Sequence, residues 1–158
     1  MNARTHRAGS MSLRALLPGP LITAAMLLAC ADFDVAVDPT GGVPDVLVAN
    51  PSFVDDVQPI LTARCATGGC HSPATAQGEL SLTAAAAYDE LVNVISTQNP
   101  ALWRVRPFRP DSSWLIKLVS AGTDGVEGYA RMPLSSTPLT ENQIATIVNW
   151  ISQGAARN

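Results

Sequence analysis

The sequence predicts a small all-α domain of about four helices joined by long loops. Three observations carry that expectation. Apolar residues recur at helical spacing in four stretches, prolines and glycines break the chain between them, and no run alternates apolar with polar residues as a half-buried strand would. The domain is expected to run from Pro51 to Asn158.

The first helix is read from Phe53, Val57, Ile60 and Leu61, which fall at i, i+4, i+7 and i+8 behind Ser52 as N-cap. Pro59 is expected to bend it. Ala84, Tyr88, Leu91, Val92 and Ile95 suggest a second helix. Trp114, Leu115, Leu118 and Val119 suggest a third, after the start signal Asp111-Ser112-Ser113. The last is the clearest: Thr140-Glu141-Asn142-Gln143 is a capping box, and Ile144, Ile147, Val148 and Ile151 mark an apolar face that ends at Gly154.

Residues 1–29 read as a processing segment. Arg4, Arg7 and Arg14 make a basic start, and Leu21 to Ala29 form an apolar core too short to span a bilayer. Leu27-Leu28-Ala29-Cys30 resembles a lipoprotein box, in which Cys30 is acylated after cleavage; an ordinary signal peptide that leaves Cys30 as a thiol is the alternative. Ala31 after Cys30 favours the outer membrane over the inner, on the exported side. Residues 30–50 carry aspartates, then Thr40-Gly41-Gly42-Val43-Pro44, and read as a tether; the valines at 43, 46 and 48 with Leu47 could instead pack on the domain.

Beyond the leader the chain holds seven basic and thirteen acidic residues, a formal charge of −6. That composition argues against nucleic acid as a partner and for a basic protein partner. Glycine-rich phosphate loops, internal repeats and coiled-coil heptads are absent from the sequence.

The chemistry concentrates in Cys65-Ala66-Thr67-Gly68-Gly69-Cys70-His71. Two thiols with an imidazole directly after the second are what covalent haem attachment needs: two thioethers to the vinyl groups and a nitrogen ligand to iron. The usual spacing places two residues between the cysteines; here there are four, and Gly68 and Gly69 ease the added bulge. His71 and Met132 are the only histidine and methionine beyond the leader, which makes them the candidate axial pair. The ring nitrogen of His71 that faces away from the metal is expected to bond a backbone carbonyl, with Pro73 the candidate. A Cys65–Cys70 disulfide, a zinc site built on the same three residues, and Met132 as a core filler are the plainer readings. Arg104, Arg106 and Arg109 with Trp103 either meet haem propionates or form a solvated loop, and Trp114 and Trp150 are expected in the core.

These stretches, with Gly78-Glu79-Leu80-Ser81-Leu82, Arg131-Met132-Pro133 and Trp150-Ile151-Ser152-Gln153-Gly154-Ala155, make the sequence resemble a class I c-type cytochrome of the exported bacterial lipoprotein kind. The resemblance covers essentially the whole domain. It implies a cytochrome c-like fold wrapped around one haem c, with the first and last helices crossed so that Phe53 lies near Ile147 and Trp150. It also implies a monomeric electron carrier rather than an enzyme, serving redox partner proteins and tethered to the membrane through lipid on Cys30. Two other classes stay open. One is a haem-free, disulfide-stapled lipoprotein that acts as a binding or structural module. The other is a haem sensor or peroxidase-like domain in which Met132 releases iron.

Overall fold

In the computed structural model, which describes residues 42–43, 45–134 and 136–158, the chain is helical, with four α-helices and no β-strand among the described residues. The expected leader, Cys30 and the tether up to residue 41 lie outside the described residues.

Ser52 caps the first helical segment: its hydroxyl accepts the Asp55 N–H at 3.2 Å, and its own N–H donates to the Asp56 carboxylate at 2.8 Å. The chain makes a π-helical turn, Phe53–Val57, and continues as α1, Gln58–Arg64. Pro59 falls in the first turn of α1, where a missing N–H costs no intrahelical bond, so the expected irregularity lies in the wider turn before it.

The second helix is shorter than the periodicity suggests. α2 covers Ala87–Leu91, after which Val92 is extended and Asn93 takes a left-handed φ of 60°. β-branched Val92, Val94 and Ile95 then run beside residues 102–105, with Asn93 N–H donating to Val105 O at 3.0 Å and Arg104 N–H to Val94 O at 2.7 Å. A 3-10 turn, Pro110–Ser112, leads into α3, Trp114–Val119. Ser113 stands at the cap position, yet its hydroxyl serves the preceding loop, donating to Arg109 O at 2.9 Å and accepting the Arg106 N–H.

The capping box of α4, Glu141–Ser152, forms in both arms, Gln143 N–H to Thr140 Oγ1 at 3.2 Å and Thr140 N–H to Gln143 Oε1 at 3.1 Å. Its buried face is Gln143, Thr146, Ile147, Trp150 and Ile151, while Ile144 and Val148 are only half-buried. The helix has ended by Gly154, whose φ is +107°. Phe53 packs against Trp150 with ring centroids 5.1 Å apart and meets Tyr88 edge-on at 5.2 Å, which joins the start of the domain to its last helix.

Part of the segment read as tether is held against α4. Val48 N–H donates to Thr146 Oγ1 at 3.1 Å, Asn149 Nδ2 to Val48 O at 3.0 Å and Gln153 Nε2 to Ala49 O at 2.7 Å; Thr140 Oγ1 donates to the Asp45 carboxylate at 2.6 Å. Val43 is buried in the core cluster. The polar side chains along one edge of α4 satisfy the extended backbone at 45–49, and α4 lies at the centre of the packing.

Candidate functional site

α1 ends at Cys65, whose N–H donates to Leu61 O at 2.9 Å, so the helix fixes where this thiol sits. The four intervening residues form a closed loop: Cys70 N–H reaches Thr67 O at 3.1 Å and His71 N–H returns to Cys65 O at 3.2 Å. Gly69 makes the bulge with φ +85°, a conformation glycine takes without steric cost; Gly68 has no positive φ. Beyond His71 the chain folds back on itself. Thr75 Oγ1 and Gln77 N–H both donate to Cys70 O, at 2.8 and 3.1 Å, and Leu82 N–H donates to His71 O at 2.8 Å.

The return brings Leu80 O to 3.2 Å from Nδ1 of His71. A carbonyl can only accept, so this contact requires the proton on Nδ1 and leaves the Nε2 lone pair free for a metal. The partner is therefore Leu80 and not Pro73, because residues 72–79 fold into turns that carry Pro73 into solvent and leave Leu80 beside the ring. Met132 comes from a distant loop, anchored by its N–H to Leu118 O at 3.1 Å at the end of α3, and packs half-buried against the core.

Cys65, Cys70, His71 and Met132 all line one cavity of about 470 Å³. Its remaining wall is mostly apolar, with Leu80, Leu82, Leu91, Trp114, Leu118 and Val119. The volume falls in the range of small-molecule and cofactor sites. Neither Cys65 nor Cys70 is in a disulfide. Burial pushes the Cys65 thiol up to about 12, against a smaller downward pull from Arg64 and a further rise from Cys70, while Cys70 itself is exposed. Among the described residues no group of three or more His, Cys, Asp or Glu side chains is placed to hold a metal ion, so the zinc reading has no ligand set there.

The arginine cluster splits. Arg104 turns inward, 9% exposed, and lines the cavity, whereas Arg106 and Arg109 are exposed. Arg109 pairs with Asp111 at 3.3 Å, and that hydrogen bond lowers the Asp111 carboxyl. Trp114 is buried as expected, but it also faces the cavity, with Nε1 donating to Gln98 Oε1 at 2.9 Å. Ser96 and Gln98 belong to the wall without any spacing in the sequence that singles them out. The set offers two thiols, one imidazole and one thioether around an apolar hollow, a combination of soft and borderline donors. No family model, curated protein or solved structure matches the chain.

Proposed function

We propose that the chain is an exported, lipid-anchored class I c-type cytochrome, an electron carrier with one covalent haem held by thioethers at Cys65 and Cys70 and ligated by His71 and Met132. The observation that carries this reading is that His71 and Met132, from loops far apart in the sequence, line the same apolar cavity as both cysteines. The group fits the residues present: the thiols are unjoined, the imidazole keeps Nε2 free, and the hollow has cofactor size. When bound, haem supplies a one-electron couple.

The chain's own residues do the rest. Leu80 O holds the His71 ring in one tautomer and strengthens it as a donor. Leu82, Leu91, Leu118 and Val119 exclude water from the site, which lowers the local dielectric and raises the reduction potential. Anchoring of Met132 to Leu118 O holds the thioether loop on α3. A lipid on Cys30 would tether the carrier on the periplasmic side, at the outer membrane in preference to the inner, within reach of redox partner proteins.

The reading is tested by intact mass and a pyridine haemochrome spectrum of protein made in a host competent for cytochrome maturation. One covalent haem is expected. Colourless protein, or Cys65 joined to Cys70, overturns the assignment in favour of the disulfide-stapled module.

A further inference from the structure

We propose that Arg104 is a positioning residue for the His71 imidazole, acting through the loop that carries Leu80. The proposal rests on the reading of His71 as an iron ligand. Arg104 is the one arginine of its cluster that is buried, and its guanidinium is spent on backbone carbonyls. Nη1 donates to Glu90 O at 3.0 Å, and Nη2 donates to Gly78 O at 3.3 Å and Glu79 O at 3.1 Å. Those two carbonyls sit in a turn the chain does not adopt cheaply: Gly78 takes its φ of +67° without steric cost, but Glu79 and Ala76 stand at +56° and +37°.

The next residue is Leu80, whose carbonyl receives Nδ1–H of His71. On its other side Ser81 N–H donates to the Glu90 carboxylate at 2.6 Å. Leu80 is thus framed from both directions, by Arg104 on 78 and 79 and by Glu90 on 81. A planar fork with several donors can join three carbonyls at once; a lysine ammonium cannot hold the same spread with the same geometry. Release of the fork lets the left-handed turn relax and moves Leu80 O off the ring. The imidazole then loses the acceptor that makes it a stronger donor to the metal.

The test uses the haem-loaded protein and its Arg104→Gln and Arg104→Lys variants. In the reduced, diamagnetic state the one ring N–H of His71 can be followed by NMR, because no other histidine is present beyond the leader. Arg104→Gln is expected to speed solvent exchange of that proton about fivefold, the factor for the loss of one ordinary hydrogen bond, and to raise the midpoint potential. Arg104→Lys is expected to lie between the two, and carries the test if Arg104→Gln fails to load haem. A wild-type exchange rate and potential in a loaded variant overturn the inference and leave the cytochrome reading standing; a wild-type chain that never acquires haem overturns that reading instead.

Discussion

Cys65 and Cys70 share a loop but not an environment. Cys70 is exposed, and Cys65 is buried with its thiol held up to about 12 from an ordinary 9.0. The thiolate is the nucleophile, so an alkylating reagent at neutral pH is expected to modify Cys70 well before Cys65, as peptide mapping would show. The same shift has a stability consequence. The folded chain keeps the Cys65 proton where the unfolded chain releases it, so this contribution is full below about pH 9 and is lost as pH rises towards 12. Denaturant unfolding of the haem-free chain is expected to show a fall of up to about 4 kcal/mol across that window, reduced in Cys65→Ala. A thioether does not titrate, so the loaded protein should lack it. Met132 gives a second outcome at this scale. A thioether opposite imidazole raises the potential relative to two imidazoles, so Met132→His is expected to lower the midpoint in voltammetry, by a fraction of the roughly 0.8 V that axial ligands span. That Cys65, Cys70, His71 and Met132 share one cavity is legible in the sequence from the local spacing of the first three and from His71 and Met132 being the only histidine and methionine after residue 30. The contacts that tie Leu80 to the His71 ring and Arg104 to the carbonyls of Gly78 and Glu79 are not, although both residues stand in stretches the sequence singles out, since they arise only when residues 72–79 fold back and the 92–105 loop turns Arg104 inward.

Among the elements, α4 is the one whose sequence signals survive most fully, because its capping box is a contact between neighbours three residues apart. Thr140→Ala removes the acceptor of the Gln143 N–H and is expected to cost about 1 kcal/mol, seen as a fall of roughly 3–5 °C in Tm by calorimetry. The loss is set to be larger than for an isolated cap, as Thr140 also donates to the Asp45 carboxylate of the segment laid along the helix. That segment explains why the buried face of α4 is not its most apolar one. Thr146 is buried under the 45–49 backbone it bonds, and Asn149 and Gln153 line the same edge, so polar residues occupy positions that a simple apolar stripe would have denied them. Periodicity likewise overran α2, where Val92 and Ile95 continue a helical spacing but pair with the 103–105 stretch instead.

On the scale of the whole molecule, the charge read from the sequence gains a geometry. Several cations are accounted for internally or next to acids: Arg104 is buried on carbonyls, Arg109 faces Asp111, and Arg157 meets Asp89 and lies over the Tyr88 ring at 4.5 Å. Asp45, Asp55, Asp124, Glu127 and Glu141 remain exposed. The surface of the described residues is therefore net acidic, and for the redox partner proposed above long-range attraction should govern encounter more than it governs the complex. With a cationic small-molecule oxidant, the stopped-flow rate constant of the reduced protein is expected to fall as salt rises from about 0.01 M to about 0.15 M, over which the screening length shrinks from roughly 30 to 8 Å. With an anionic oxidant the rate should rise over the same range. If both rates are flat, the electron leaves through a face that the acidic residues do not dominate, and a basic partner is no longer the expected one.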